Sequence, residues 1–529
     1  MAVVTWQDMV DRANQIIPVM LIRHFTRKIQ PAGQPVHFKS EAHPEWMASL
    51  QGHTQWRRVF KDAPRPKKGA EVIKNYPWVP ILYKEAFAAH RARVARLLEG
   101  KPVAGKIALL DYASGSAWVD AFELGASAVV LLGAREGHRR EAEQKFLAVP
   151  ADLPRLYAPA PTALRLRQLE GARVRLHGRM DWRPARAQNI VVVVEGADTD
   201  LKDEAVYLSA HYDAISPVPA LAPGAVQALS AAALLELAKG FAADRPQRTV
   251  VLLWTAGHFQ NLAGMRHFVP VLMAAAGRRE KEGVQDSPLL QRLSAFQLRF
   301  WIGLDLSAQS ALLGVFKPQA PYRTPLLTPP IADRLLALAT AYEDSVLGGA
   351  RMLANGLEQD FARQELGGMA QTVPYDASVA ALAGVPTLVF ATVNDSRARF
   401  DSPADRTDGI DFAAAARQVG LIADVVPGLV DDAELEDWAW GNDVFGAIFG
   451  EVMHYGPRSY LPDQPTAGAL VRVRLRQPTL AGVRPDFWAA ADDSGRFRIP
   501  GVESGIIYTQ PVRLEAYRLD AETGAVTDA

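Results

Sequence analysis

The chain has 529 residues, and its 58 Lys and Arg balance 58 Asp and Glu, so the formal net charge is zero. Because neither sign of charge is in excess, the composition gives no support for a nucleic-acid or anionic-membrane partner. Cysteine is absent, which excludes disulfides, thiolate metal ligands and cysteine nucleophiles. At roughly 150 residues per domain, the length predicts three or four domains.

No apolar run approaches the roughly 18 residues of a membrane-spanning helix. The N-terminal residues also lack the basic and apolar regions of a signal peptide. A cytosolic chain and the mature part of an exported chain are both compatible with these features.

The first hundred residues are mixed in character, and a helix is predicted at 84–98. Residues 105–133 then predict a strand (106–112), a helix (117–124) and a second strand (128–132). Short connections between these elements indicate a small α/β unit.

Apolar strands and helices alternate regularly in the middle of the chain. A strand is expected at 173–177, and a central strand of a larger sheet at 189–195. Further strands are predicted at 206–210, 249–254, 298–304 and 387–391, and helices at 227–242, from 262, and at 331–342, 378–383 and 412–430. Continuously apolar strands separated by helices predict a sheet covered on both faces. The expected fold class is α/β, a three-layer sandwich with a mixed, mostly parallel central sheet.

After residue 455 the pattern changes to the period of two that is typical of strands exposed on one face. It is clear at 469–475 and 512–518, and a turn at 492–495 precedes another short strand. This part of the chain predicts a small antiparallel β domain.

Common catalytic motifs are missing: the sequence has no phosphate-binding loop, no dinucleotide glycine fingerprint, no HExxH and no GxSxG. His211 is the informative residue, since it directly follows the predicted strand 206–210 and precedes Asp213 by two positions. Sites in open α/β sheets form at the carboxyl ends of strands. A carboxylate near a His is a common way to orient a metal ligand.

These residues lie in segments that resemble the di-zinc exopeptidases of peptidase family M28. The segments occur in the family's order, from residue 189 to about 430: NIVVVVEG, LSAHYD, GAVQALSAAALLELA, RTVVLLWTAGHFQNLAGMRHFV, LDL, DASVAALAGVP and FDSPADRTDGID. The resemblance implies an N-terminal mixed segment (1–100), a protease-associated-like insert (101–180), an exopeptidase-like α/β domain (181–455) and a carboxypeptidase-regulatory-like β-sandwich (456–529).

The family's chemistry uses two zinc ions that share a bridging carboxylate, with a Glu as general base. Carried over by position, His211 and Asp305 match ligands of the first zinc, and Asp213 matches the acid that orients His211. The bridging Asp falls on Gln227, the Glu base and the Glu ligand fall on His258 and Phe259, and the His ligand of the second zinc falls on Asp401. Tyr212 and Asp376 are expected in the cleft.

These departures predict that a two-zinc site does not form, since a neutral amide at Gln227 cannot offset the repulsion between two divalent ions. Cofactors are therefore expected to be absent, or at most one zinc at His211, Asp305 and His258. Without metal, His211 is a strand-end His held by Asp213, Asp305 caps a helix or pairs with a basic side chain, and Gln227 begins a helix.

The resemblance and the departures together predict an inactive peptidase homologue, a pseudopeptidase that binds a peptide or protein partner or acts as a scaffold. The alternative is an active single-metal peptidase or hydrolase using His211, Asp305 and His258. By family resemblance we expect a periplasmic or extracellular location, and the chain would suit one segment of a larger envelope assembly. No nucleic-acid partner is expected.

Overall fold

The computed structural model describes residues 103–133, 139–147, 150–178, 180–183, 185–278, 287–318, 329–357, 374–395, 397–432, 445–456, 462–475, 486–503 and 512–528. The predicted helix at 84–98 and the N-terminal segment 1–100 lie outside these ranges.

The chain divides into two compact units, Met1–Leu110 with Ser116–Val130 and Asp111–Gly115 with Leu131–Ala529. Most of the strand–helix–strand predicted from 105–133 falls in the first unit. It is formed by β1 (Ile107–Asp111), α1 (Ala117–Glu123) and β2 (Ala128–Leu132), which confirms the prediction. Trp118 and Ala121 on α1 are buried, as are all five residues of β2.

The second unit begins with short elements: α2 (Arg139–Glu143), β3 (Arg155–Ala158) and α3 (Ala160–Arg167). The strand predicted at 173–177 is wrong, because residues 172–178 have no regular structure. Val174 and Leu176 supply the apolar alternation of that segment, yet both are exposed. An alternating pattern does not fold as a strand unless a neighbouring strand satisfies its backbone.

A seven-stranded mixed sheet forms the centre of the second unit. Its strands in spatial order are β4 (Ile190–Val194), β6 (Thr249–Thr255), β5 (Glu204–His211), β7 (Gln297–Asp305), β10 (Thr387–Thr392), β8 (Leu313–Phe316) and β9 (Leu353–Gly356). β6, β5, β7 and β10 are mutually parallel, whereas β4 is antiparallel to β6 and β8 is antiparallel to β10. The predicted α/β class and mostly parallel sheet are confirmed.

β4 lies at one edge of this sheet, so the prediction of a central strand at 189–195 is wrong. Its five consecutive β-branched residues suggest burial on both sides, but Ile190 is 51% exposed and Val192 is 38% exposed. The strand nevertheless pairs along its whole length with β6. Apolar content therefore identified the strand correctly, while its place in the order depended on pairing that local sequence does not encode.

Helices cover both faces of the sheet. They are α4 (Ala228–Ala243), α5 (Ala263–Arg278), α6 (Pro288–Ala295), α7 (Pro329–Ser345), α8 (Ser378–Leu382) and α9 (Phe412–Val430). Alternate residues of β5 enter opposite cores: Val206 and Leu208 pack with residues of α4, α7 and α9, while Ala205 and Tyr207 pack with residues of α5, α6 and α8. The three-layer arrangement follows from this period of two.

Helix α9 is long and apolar enough, by length and composition, to cross a membrane, and it alone meets that test among the residues the structure describes. Leu421, Val425 and Leu429 of α9 are fully buried in the core. The Asp411 carboxylate caps its N-terminus, accepting a hydrogen bond of 2.9 Å from the amide of Ala414. In this fold α9 serves as a core helix.

The C-terminal part is antiparallel, as predicted. β11 (Phe445–Glu451) pairs with β16 (Arg496–Glu503), and β12 (Met453–Tyr455) pairs with β13 (Pro462–Pro465). The remaining four strands form a sheet in the order β15 (Asp486–Ala490), β14 (Leu470–Arg474), β17 (Arg513–Leu519), β18 (Val526–Asp528).

A buried arginine joins α5 to β16. Arg266 is 2% exposed, and its guanidinium donates hydrogen bonds to the carbonyl of Gly501 (2.8 Å) and to the Glu503 carboxylate (2.9 Å). The same guanidinium lies 5.0 Å from the ring centre of Phe487. The antiparallel region is therefore fixed to the α/β layer through a charge-assisted contact.

Candidate functional site

The candidate site lies where the parallel strands end. His211 is the last residue of β5, Asp305 is the last residue of β7, and His258 follows β6 by three residues. Asp376 precedes α8, in the segment that leads into β10. Because these strands are parallel, their carboxyl ends meet at one edge of the sheet, and all four side chains are buried there.

Two histidines share one carboxylate. The Nδ1 atom of His258 lies 2.8 Å from the Asp376 Oδ2 atom, and the Nδ1 atom of His211 lies 3.6 Å from the same oxygen. The imidazole rings are stacked with centres 3.9 Å apart, and the Phe259 ring packs edge-on against both. The Nε2 atom of His211 is buried without a hydrogen-bond partner among the described residues.

The two rings differ in protonation. Burial, then the charges of His258 and Arg397, lower the pKa of His211 to about 3, against the opposing effect of Asp376 and Asp305. Burial also lowers the pKa of His258, but the charge and hydrogen bond of Asp376 outweigh it, so that this pKa is raised. The pKa of Asp376 is raised by burial and lowered more strongly by His258. The arrangement is therefore a neutral His211 beside a His258–Asp376 ion pair.

Asp305 is held by a buried arginine. The Arg397 guanidinium donates to both carboxylate oxygens of Asp305, at 2.9 and 3.1 Å, and to its backbone carbonyl at 3.2 Å. Both side chains are buried, and the guanidinium lies 5.2 Å from the ring centre of Phe400. A two-point contact of this kind is among the strongest ionic hydrogen bonds in proteins. Of the roles expected for Asp305, the structure shows pairing with a basic side chain.

The loop that carries Arg397 has unusual backbone angles. Asn394, Arg397 and Asp401 have φ values of 56°, 51° and 57°, in the left-handed region. Residues other than glycine adopt this region at an energetic cost, and such positions concentrate at functional sites. The strained loop directs Arg397 towards Asp305.

Gln227 and Asp401 contact each other. The Gln227 amide donates a hydrogen bond to the Asp401 carboxylate, and both side chains are buried. Gln227 also begins α4, one of the roles expected from sequence. Beside them the Asp405 carboxylate accepts a hydrogen bond of 2.8 Å from the amide of Val226, and burial raises the pKa of Asp405 to about 6. The residues that match the bridging ligand and the second-zinc ligand of the family by resemblance are thus joined by a hydrogen bond.

Asp213 and Tyr212 lie outside the His–His–Asp group. Asp213 accepts a hydrogen bond of 3.4 Å from the backbone amide of His258, so it orients the loop after β6 rather than the ring of His211. Asp376 occupies the position beside His211 that was expected for Asp213. The Tyr212 side chain is 41% exposed, and its hydroxyl donates to the carbonyl of Gln188.

A small cavity of about 10 Å³ lies beside these groups and is lined by His211, His258, Asp305 and Asp376. That volume is close to the minimum that one water molecule needs. Among the residues that the structure describes, none that lines the cavity is a Glu, the residue type that serves the family as general base.

The side chains fit two zinc ions poorly. Asp305 is engaged by a guanidinium, Gln227 is a neutral amide, and Phe259 has no donor atom. One ion is chemically better matched, because donor atoms of His211, His258 and Asp376 lie within 4.8 Å of one another. The single-metal set expected from sequence therefore changes, with Asp376 in the place of Asp305.

Sequence analysis missed Arg397. The residue lies in a loop without periodic pattern, and its partner Asp305 is 92 positions away. The only signal in the sequence was indirect. Asp305 was expected at the end of a buried strand, and a buried carboxylate that binds no metal needs another cation as its partner. Asp376 was expected in the cleft, but its contact with both histidines was not.

Residues 189–279 match the sequence model of peptidase family M28. No curated protein matches the chain significantly by sequence.

Among solved structures, similar chains include a zinc aminopeptidase of Bacillus subtilis (15% identity, 62% of this chain and 70% of that chain covered, TM-score 0.32). They also include a peptidase M28 precursor of Shewanella amazonensis (17%, 64% and 71%, 0.36) and an aminopeptidase of Aneurinibacillus sp. (16%, 66% and 75%, 0.29). The segment that carries His211, Gln227 and His258 is therefore similar to peptidase family M28.

Proposed function

We propose that this chain is a catalytically inactive relative of the di-zinc aminopeptidases and serves as a peptide- or protein-binding or scaffold module. The observation that carries the proposal is the buried Arg397–Asp305 pair. Asp305 stands at the position of a zinc ligand in the family pattern, yet its carboxylate oxygens already bind a permanent cation. Arginine does not deprotonate in proteins, so the cation that faces this carboxylate is permanent.

The absence of the other catalytic groups supports the same proposal. A bridging carboxylate offsets the repulsion between two metal ions, whereas Gln227 brings no charge and is hydrogen-bonded to Asp401. The position of the general base is His258, whose ring is engaged by Asp376.

The test is elemental analysis of protein purified without chelators and dialysed against zinc, combined with an aminopeptidase assay. We expect less than about a tenth of an equivalent of zinc at this site and no release of N-terminal amino acids. Co-purification from the native source then addresses the partner. Peptidase turnover that a chelator abolishes would overturn the proposal.

A single-metal hydrolase is the second candidate, favoured by the grouping of His211, His258 and Asp376 and by the unpartnered Nε2 atom of His211. An ion bound there would supply Lewis-acid chemistry to a substrate carbonyl. Ligation through the Nε2 atom of His258 would leave its Nδ1 contact with Asp376 in place. This candidate predicts one equivalent of zinc that His211→Ala removes together with activity.

A further inference from the structure

We propose that Arg397 is the resident cation of this site, and that its guanidinium prevents a divalent ion from binding to Asp305. The inference rests on the proposed function and adds the reason why a metal does not bind. We also expect that a variant without the Arg397 side chain binds one divalent cation through Asp305.

The contact between Arg397 and Asp305 supports the exclusion of a divalent ion from Asp305. The guanidinium contacts both carboxylate oxygens and the backbone carbonyl of Asp305, so every acceptor that this residue could offer to an ion is engaged. The two side chains are 4% and 7% exposed. A metal ion would have to displace a desolvated two-point ion pair, which costs more than displacing water from an exposed carboxylate.

The position of Arg397 is built into the fold. Its backbone is held in the left-handed region, and its own amide donates a hydrogen bond of 2.7 Å to the Asp395 carboxylate. Asp395 also accepts a hydrogen bond from the amide of Gln309, in the loop after β7. The loops after β7 and β10 thus fix each other, and they present Arg397 to Asp305 in a defined orientation.

The groups that would remain after removal of Arg397 have the chemistry of a cation site. Asp305 lines the same small cavity as His211 and Asp376. Without the guanidinium, Asp305 is a carboxylate without its counterion beside this cavity, and the Nε2 atom of His211, which also lines it, has no hydrogen-bond partner among the described residues. Carboxylate and imidazole donors suit zinc.

The test is zinc binding by the full chain, measured by equilibrium dialysis and by thermal unfolding with and without zinc chloride. Wild-type protein is expected to bind no ion that depends on Asp305. Arg397→Ala is expected to gain one equivalent, and zinc at about 100 times its Kd should raise the unfolding midpoint of this variant by about 3 °C or more. The double variant R397A/D305N should lose the gain, which separates this site from weak binding at surface histidines.

Arg472→Ala is the matched control. Arg472 forms a similarly buried pair with Asp486 in the C-terminal sheet, with a nitrogen–oxygen distance of 2.9 Å. The Arg472→Ala variant should lose stability without binding additional zinc. If Arg397→Ala does not fold, Arg397→Ala and Arg397→Met are instead refolded in the presence of zinc and, for comparison, of magnesium. We expect folded protein to be recovered with zinc.

Two results would overturn the inference. One is a folded Arg397 variant that binds no additional zinc or, where the variants do not fold, their failure to refold when zinc is present. The other is a wild-type chain that binds one zinc through Asp305. The first result leaves the proposed function standing, because it concerns only the Arg397 variants. The second also contradicts the zinc content expected for the proposed function, which itself is overturned by peptidase turnover that a chelator abolishes.

Discussion

At the scale of single residues, the positions that would hold metal ions are occupied by side chains that bind each other. Arg397 pairs with Asp305, His258 with Asp376, and Gln227 with Asp401. In the first two pairs a permanent or protonated cation faces a carboxylate, so the buried negative charge is offset within the protein. A buried carboxylate without such a partner would be strongly destabilising.

The Arg397–Asp305 pair should show strong coupling in a double-mutant cycle. Asp305→Asn leaves a buried guanidinium without its counterion, so we expect a loss of about 3–5 kcal/mol in the free energy of unfolding. Arg397→Met combined with Asp305→Asn should be less destabilised than the sum of the single variants. Urea unfolding of the four proteins measures the coupling.

Asp486→Asn is the comparison for this cycle. Its partner Arg472 keeps a second carboxylate, Glu515, at 3.1 Å, so the loss should be smaller than for Asp305→Asn. Additive effects of the Arg397 and Asp305 substitutions would show that the two side chains do not stabilise each other.

Asp405 should give the protein a measurable pH dependence. Burial raises its folded pKa to about 6, above the unfolded value of about 3.9. The stability that this residue contributes is full below the unfolded pKa and is lost as pH rises through about 6, by up to about 3 kcal/mol. Asp405→Asn cannot titrate and should therefore lack the loss between pH 4 and pH 6.

Unfolding in urea at pH 4.5 and pH 7 measures this difference. Asp408→Asn, at a neighbouring position that is 75% exposed in the side chain, should leave the pH dependence unchanged. An unaltered slope in Asp405→Asn would show that the carboxylate titrates normally in the folded protein.

Sequence analysis predicted part of this site. The placement of His211 and Asp305 at strand ends followed from apolar runs that end at polar residues, whereas the degenerate metal site inferred from resemblance stays a prediction. The pairing of the replacements did not follow, because Gln227 and Asp401 are 174 positions apart and meet only through the sheet. Side-chain partners across such separations depend on tertiary structure.

At the scale of elements, periodicity predicted most strands and helices of the α/β layers but not the two short strands β8 and β9. β5 and β7 are buried on both faces, and their apolar runs matched the observed strands within two residues. β8 and β9 have only four residues each, with glycine in both, and gave no clear pattern. Short strands depend on their neighbours more than on their own composition.

The contact between α5 and β16 should depend on Arg266. Arg266→Met keeps the length of the side chain but leaves the buried Glu503 carboxylate without its ionic partner, so we expect a loss of about 3 kcal/mol or more. Hydrogen exchange should increase in β16 more than in β5, because β16 loses its attachment to the α/β layer. Arg334→Ala on α7, where the arginine side chain is 50% exposed, should change stability by less than about 1 kcal/mol. An equal increase in hydrogen exchange in β16 and β5 would show that Arg266 does not stabilise the attachment of β16 specifically.

At the scale of the whole molecule, a seven-stranded mixed sheet is combined with a site in which buried carboxylates are paired with side chains of the same chain. Proteins that contain structural metal sites lose stability when the ion is removed, because binding contributes to the free energy of folding. In this chain the Arg397–Asp305 and His258–Asp376 pairs supply that contribution without an ion. The stability of the fold and the presence of metal should therefore be independent.

Chelation tests this independence. We expect dialysis against EDTA to leave the unfolding midpoint of the wild-type chain unchanged within about 1 °C, which corresponds to about 1 kcal/mol for a chain of this size. Two equivalents of zinc added afterwards should leave it unchanged as well. His211→Ala serves as the control: if an ion contributed to stability, this variant would be insensitive to EDTA while the wild type was not. A fall of several degrees in the wild type alone would mean that His211 holds a metal, and that the buried ion pairs rearrange around it.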